Sequence, residues 1–586
     1  MKFTANLGVQ YLGVNTSNLT NSYYGDAAGI GRIAKYQQNI LGFTANQLLE
    51  YKKLIDDHSI SAMAGHETNL LINAYMYGAK SHIADPSGLE LGNAVQMYSL
   101  TSQTTSRAMD SYFLNANYIY DERYMFTANY RADGSSKFAK GHRWGHFGSV
   151  GGAWNFTNEE FVSQTPEMDW LHDGKLRLSW GMLGNDGIPS NRYSDMYSIE
   201  YVDGLVGYVW QYQGKEDITW ESTSTFDLGL EFSVMKYLDA EFDYYYKQTS
   251  NLLFPRYVAP SLGYTYAYIN DGQIYNTGVE FQFKVHALDT RNVKLDIRLN
   301  GAHNTNRVKQ LPKNMAEDEN SADNMLQNGS LAEGHDMYEY FIPHYEGVDP
   351  ETGEALYHAW YDHNLGGFGG NSAEAVRNTT TGKGNNYISN YYQYTQKHPD
   401  ADIRDTVTTF APYAGSNYVK KSASPDLDGG FGIDLEAYGV TLSITCSYRI
   451  GGYGYDNTYA ALMHSEKAGS YNWHVDMRDA WTPYHTDTNI PRLSNGSDAY
   501  ANYVSDRFLT SNSYLSLNNV RLGYKFPKKL IDKIKLKTLE VWVAGDNLAI
   551  LTARKGYNPM VSISGSSNSY QYTPLSTVMG GIKFQF

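Results

Sequence analysis

Few residues in this sequence stand at spacings that could do chemistry, and each has a plainer reading. His66 and Glu67 open a zinc-binding pattern, but no second histidine follows at the spacing a zincin requires, so the pair reads as part of a strand. Asp349-Pro350-Glu351-Thr352-Gly353-Glu354 gathers three carboxylates that could surround calcium. It lacks the alternating ligand positions of an EF-hand loop, and a β-turn fits better. His142 and His146 flank Trp144, either as a transition-metal pair or as a solvated loop, and the loop is the better fit. Gly451, Gly452 and Gly454 stand at a strand end with no helix behind them to cradle phosphate. Cys446 is the one cysteine, which excludes an internal disulfide or a cysteine-based zinc site. Trp210, Trp360, Tyr361 and Trp473 could stack on sugar rings, but girdle or loop packing accounts for them equally well. No catalytic, cofactor or metal residue emerges, the expected protein is not an enzyme, and substrate contacts stay unassigned.

The composition points instead to a membrane. Aromatics make up 14% of 586 residues, with 52 Tyr against 22 Phe and 10 Trp, in a chain that is hydrophilic on average. A transmembrane β-barrel combines these properties, because amphipathic rings gather at its two interfaces while its interior stays polar. No apolar run reaches the length of a transmembrane helix. A net charge of −15 argues against nucleic acid, whose binding needs clustered Lys and Arg. The opening MKFTANLGVQ reads as a strand rather than a secretory signal, so an upstream segment is expected.

The elements that would position any site are strands, read from period-2 alternation. Val440, Leu442, Ile444, Cys446, Tyr448 and Ile450 share one face, and Thr441, Ser443, Thr445, Ser447 and Arg449 share the other. By the same count, Leu228, Leu230, Leu295, Ile297, Leu442 and Ile444 are expected to face lipid. Glu231, Asp296, Arg298 and Arg449 should face the lumen. The expected strands are 3–14, 43–52, 59–71, 109–120, 124–133, 147–157, 175–184, 222–235, 237–250, 274–288, 291–306, 338–347, 355–360, 428–437, 439–450, 511–526, 537–548 and 576–586. That makes about eighteen, many with the length a tilted strand needs to cross hydrocarbon. Short connections at 121–123, 235–237, 288–290 and 438–439 alternate with long ones near 185–221, 307–337, 361–427 and 451–510. Short periplasmic turns and long extracellular loops are the rule in outer-membrane barrels. The last strand ends on Ile582, Phe584 and Phe586, either an ordinary final strand or a carboxy-terminal barrel-assembly signal.

Seven segments carry a family resemblance. YDERYMFTANYRADGSSKF (120–138), KLRLSWGMLGNDGIP (175–189), INDGQIYNTGVEFQF (269–283) and YEGVDPETGEAL (345–356) are followed in order by SYLSLNNVRLGYKFPKKL (513–530), VAGDNLAILTARKGYNP (543–559) and GIKFQF. Together they resemble the TonB-dependent outer-membrane transporters of the SusC/RagA type, in which the GVDP segment is a periplasmic turn. The resemblance implies a twenty-two-stranded barrel preceded by a signal, a TonB box and a plug. Residues 1–586 would then be a partial barrel without the plug. It further implies a SusD-like surface lipoprotein and TonB as partners, oligosaccharide or peptide as cargo, outer-membrane lipid as solvent and no cofactor. A passive porin or adhesin-like barrel without energy coupling is the main alternative, and a soluble all-β glycan-binding protein or hydrolase is a more distant one.

Overall fold

The structure is a computed structural model and describes residues 1–202, 204–258, 260–264, 266–311, 331–365, 387–466, 469, 472–562 and 574–586. Sixteen strands hydrogen-bond in chain order as one antiparallel sheet. They are β1 (Lys2–Thr20), β2 (Arg32–Ile55), β3 (His58–Ile83), β4 (Ala94–Tyr120), β5 (Tyr124–Ser135), β6 (Trp144–Asn155), β7 (Leu171–Asn185) and β8 (Glu221–Val234). Next come β9 (Leu238–Ser250), β10 (Gln273–Asp289), β11 (Val293–Gln310), β12 (Leu427–Ala437), β13 (Val440–Ile450), β14 (Tyr514–Lys525), β15 (Thr538–Thr552) and β16 (Thr577–Gln585).

Tight turns join most of the alternate pairs, among them β4 to β5 and β12 to β13. Tyr438 and Gly439 both take positive φ (51° and 92°), as do Asp121 and Glu122 (51° and 52°). A type I′ turn needs this backbone to match the twist of its two strands. At the opposite ends of the strands the connections are mostly longer and fold on themselves. The connection from 311 to 426 is one of these, which corrects the placing of the GVDP segment. Val348 and Asp349 lie between β11 and β12, at the ends opposite the tight turns, so the segment is not on the periplasmic side.

Two expected strands are not part of the large sheet. Glu339–Pro343 pairs with Ser416–Ser422, and Tyr345–Val348, Ala355–Asp362 and Ile403–Thr408 form a separate small sheet. Tyr340 and Tyr357 are fully buried, and Ala355–Asp362 is enclosed along both faces. A strand covered on both sides offers nothing to lipid, so alternation alone misled here. Conversely, β1 to β4 run to 19, 24, 26 and 27 residues, longer than expected. Their outer portions include polar stretches such as Thr101–Ser106, where the alternation fades while the backbone ladder continues. Two portions of the connection from 311 to 426, 312–330 and 366–386, lie outside the described residues.

The chain divides into two compact units. The first comprises Met1–Pro166, Lys175–Leu228 and Lys247–Gln273. On β3 to β7 its apolar face carries two aromatic rows. His58, Tyr120, Tyr124 and Trp154 form one beside the tight turns, and His66, Tyr112, Trp144, Tyr130 and His146 form the other. Ala64, Leu114, Ala116, Phe126, Val150 and Leu178 fill the band between. Tyr112 and Tyr120 are eight residues apart, about 27 Å of strand. That is the scale of the apolar band, about 25 Å tall, between the girdles of outer-membrane barrels.

The core of this unit lies off the band, under the long connections, where Phe138, Phe147, Ile188, Ile218 and Trp220 pack together. Arg107 makes two 2.9 Å contacts with the Asp186 carboxylate, the Ser135 hydroxyl donates to it at 2.7 Å, and Lys137 Nζ donates to the Asp186 carbonyl at 2.9 Å. The GSS and GNDG motifs are thus a latch that ties two connections together. Burial holds the Lys137 ammonium below its ordinary pKa.

The second unit holds Glu167–Gly174, Gly229–Tyr246 and Ile274–Phe586. Its register confirms the period-2 reading. Leu295, Leu435, Leu442, Leu522 and Val543 lie directly opposite one another across five strands, as do Ile297, Ile433, Ile444 and Val520 across four. Asp296, Asp434, Ser443 and Arg521 form the intervening row on the other face. Its packed clusters again lie in the connections: Tyr345, Ala355, Tyr357, Ala411 and Ala414 in one, Ala460, Met463, Met477, Ala480 and Phe508 in another. Burial pushes Tyr345 and Tyr455 up to about 12. Their neutral hydroxyls remain donors, as in Tyr345 Oη to the Asn489 carbonyl at 3.1 Å.

Two outcomes follow. Ile444→Arg places a charge among Ile433 and Val520 at a cost of about 2–4 kcal/mol near the membrane midplane, whereas Thr445→Arg lies on the polar face. Insertion yield, scored by heat-modifiable gel mobility, should fall for the first and hold for the second. Asp186→Ala leaves Arg107 and Ser135 without their carboxylate acceptor, while Lys137 keeps the backbone carbonyl, and should cost about 2 kcal/mol. Proteolysis within 186–220 should accelerate while the sheet keeps its mobility on the gel.

Candidate transport surface

With the apolar face given over to aromatic rows and aliphatic side chains, any functional surface must lie on the polar face or in the connections. In the first unit Asn6, Asn46, Glu67, Ser111 and Asp133 are directly paired across β1 to β5. Arg131 links three of them: Nε donates to Asp133 Oδ1 at 2.6 Å, an NH2 donates to Ser111 Oγ at 2.9 Å, and Glu67 lies 3.6 Å away. The Arg131 and Asp133 of the recognised motif therefore meet on this face.

Closer to the tight turns, β4, β5 and β6 present uncharged polar side chains on this face. Asn115 Nδ2 donates to Asn129 at 2.5 Å, Asn117 Nδ2 to Asn115 at 2.7 Å, Thr127 Oγ1 to Asn117 at 2.7 Å, and Asn129 Nδ2 to Ser149 at 3.0 Å. A cavity of about 670 Å³ opens beside this ladder, with Asn115, Asn129, Arg131, Asp133 and Ser149 in its lining. Such a surface offers paired donors and acceptors to hydroxyl or amide groups. The alternate positions of β4, β5 and β6 carried the signal in the sequence, but only the register shows which polar side chains meet.

The polar face of the second unit is more strongly charged. His286 lies 2.8 Å from Asp296 and 3.1 Å from Asp239, Arg298 lies 2.8 Å from Asp434, and Arg521 lies 2.7 Å from Glu540. Asp296 and Arg298 stand as expected, and Arg449 sits over the Tyr514 ring in the row opposite Asp428. Glu231 shares a strand face with Ser233, whose hydroxyl donates to Asp239.

The residues first weighed for chemistry resolve into structural roles. His66 lies in β3, 2.7 Å from Asp110 at the second aromatic row. Trp144 and His146 belong to β6, not to a loop, and His146 Nδ1 lies 2.7 Å from the Tyr130 hydroxyl. The Asp349 carboxylate accepts from the Glu351 amide at 2.9 Å, and Glu354 pairs with Arg492 at 2.8 Å, so this segment is a turn. Gly451 and Gly452 take φ of 78° and 72° past the end of β13. Cys446 is buried on the apolar face opposite Phe431 and Leu517. Trp360 is enclosed between His358 and Tyr391, Trp210 packs on Tyr264, and Trp473 lies near His464. Tyr361 bridges to Tyr387. Trp360 is thus buried among its loop neighbours, whereas Trp473 stays more than a third exposed at 37%. Ile582 and Phe584 oppose Val541 and Leu539 on the apolar face, with Phe586 packed edge-on against Phe584.

This geometry has known counterparts. TonB-dependent receptor P3 of Formosa agariphila is 26% identical over 568 residues, covering 94% of this chain and 52% of that protein. TonB-dependent receptor SusC of Bacteroides thetaiotaomicron is 23% identical over 604 residues, covering 99% of this chain and 53% of that protein. The chain thus spans about half the length of either relative. The structure of the RagAB peptide transporter superposes with a TM-score of 0.80 at 22% identity, over all of this chain and 60% of that one, which shows the shared fold. The model of the TonB-dependent receptor-like β-barrel family matches residues 2–414. With well over half of its length so matched, the chain belongs to that family of antiparallel β-barrels, and its place is the outer membrane.

Proposed function

We propose that this chain supplies the barrel of an importer that moves oligosaccharide or peptide across the outer membrane, under a SusD-like lipoprotein and with energy delivered through TonB. The observation that carries this reading is the uncharged Asn115–Asn129–Ser149 ladder beside a cavity of about 670 Å³. Paired amides and hydroxyls suit a cargo rich in hydroxyl or amide groups, and the work is binding and gated translocation without bond-breaking. Family membership supports TonB coupling, and the relatives named SusC and RagAB support a lipoprotein partner. The rival is a passive porin or adhesin-like barrel. Growth on purified oligosaccharides and peptides, in a strain dependent on this chain within its full-length transporter, decides between them. Uptake should stop when TonB is removed or the proton gradient collapses. Uptake that continues at the same rate under both conditions would establish the passive barrel.

The same proposal gives Ile582, Phe584 and Phe586 the role of barrel-assembly signal, supported by the place of Ile582 and Phe584 on the apolar face of the last strand and by Phe586 packed against Phe584. Phe584→Ser with Phe586→Ser should lower the folded fraction in the outer membrane severalfold. An unchanged heat-modifiable band would leave Ile582 and Phe584 as ordinary members of β16 and Phe586 as the residue that follows it.

A further inference from the structure

The apolar face of the first unit is not smooth. On β6, Gly152 lies directly between Phe126 of β5 and Leu178 of β7, and its missing side chain opens a trough of about 500 Å³. Trp154, Trp180, Phe126 and Phe226 line it. A Cβ added at Gly152 would meet Phe126 and the Met125 carbonyl only at 3.8 Å, so the floor is open. Both indoles are pinned: Trp154 Nε1 donates to Glu159 Oε1 at 3.0 Å, and Trp180 Nε1 donates to Ser224 Oγ at 2.9 Å. Trp154 is held further by Phe156, with ring centres 5.7 Å apart. Anchored walls lose little side-chain freedom when something binds between them, which favours retention over passing contact.

The position names the occupant. The trough lies on the face turned to hydrocarbon, between the two aromatic rows and on the side of Tyr124 and Trp154, nearest the tight turns. Short turns mark the periplasmic leaflet. We infer that this trough is a lipid-binding site that holds one acyl chain of a glycerophospholipid from the periplasmic leaflet. The chain lies over Gly152 and is gripped by Trp154 and Trp180. This site is independent of the import reading, because it lies on the opposite face from the polar ladder.

The test is the lipid that stays with the full chain after purification from outer membranes in mild detergent, identified by native mass spectrometry. Wild type should retain phospholipid at about one per chain. In Gly152→Phe and Gly152→Leu the side chain takes the acyl chain's contacts, and retained phospholipid should fall about tenfold. Ala62→Phe, on the same face but outside the trough, should retain it. A wild type that keeps none, or variants that keep as much as wild type, would overturn the inference. So would retention of lipopolysaccharide in place of phospholipid. Should the Gly152 variants fail to fold, wild type in bilayers doped with brominated phosphatidylcholine gives the answer directly. Loss of quenching in Trp154→Phe with Trp180→Phe, beyond that from other tryptophans, is the expected result, and equal quenching would refute it.

Discussion

Hydrocarbon offers no partner to a backbone N–H or C=O, and each such group left unpaired there costs several kcal/mol. Among the described residues no helix is long and apolar enough to cross a membrane, and the backbone groups of the large sheet are paired between strands. The order β1 to β16 achieves this by pairing each strand with its neighbour in sequence. The positive φ at Asp121, Glu122, Tyr438 and Gly439 is a consequence, because a hairpin this tight forms only with that backbone. Strand length, turn geometry and register all serve the same ladder.

Once the ladder is in place, the pleat assigns the chemistry. Alternate residues go to opposite faces, so a strand such as β13 presents Leu442 and Ile444 to lipid and Ser443 and Thr445 to the other side. Neither face is a protein core in the usual sense. The cores sit instead in the connections, around Trp220 in one unit and around Tyr345, Tyr357 and Phe508 in the other. Tyrosine suits both settings. Tyr120 and Tyr124 place amphipathic rings at the membrane boundary, while the buried Tyr357 fills a loop core and donates its hydroxyl to the Tyr500 carbonyl at 2.5 Å.

The division between a lipid-facing surface and a polar one also separates two kinds of recognition. The polar face offers fixed donors and acceptors, and the hydrogen bonds among Asn115, Asn117, Thr127 and Asn129 hold those groups in place. The apolar face meets lipid through shape, and Gly152 shows how one absent side chain turns a convex band into a trough. The two share β5 and β6 and differ only in which parity of residue is used.

The sequence by itself determined the strands, their faces and the family. Period-2 alternation is local, so Leu295 and Ile297 could be set against Asp296 and Arg298 without knowing what lay beside them. The turns at 121–123 and 438–439 were legible for the same reason, since their short polar or glycine-bearing breaks lie in contiguous sequence. The tertiary structure decided what alternation cannot encode. It enclosed Tyr340 and Tyr357 on both sides and so removed 338–347 and 355–360 from the membrane sheet. It set Arg131 against Ser111 and Glu67, and Arg107 against Asp186, pairs that depend on register between strands and connections far apart in sequence. It also extended β1 to β4 beyond the apolar band, where a neighbour's backbone sustains the strand after the side-chain pattern has ended. A side chain's face follows from its own position along the strand. Its partner follows from where another strand happens to stop.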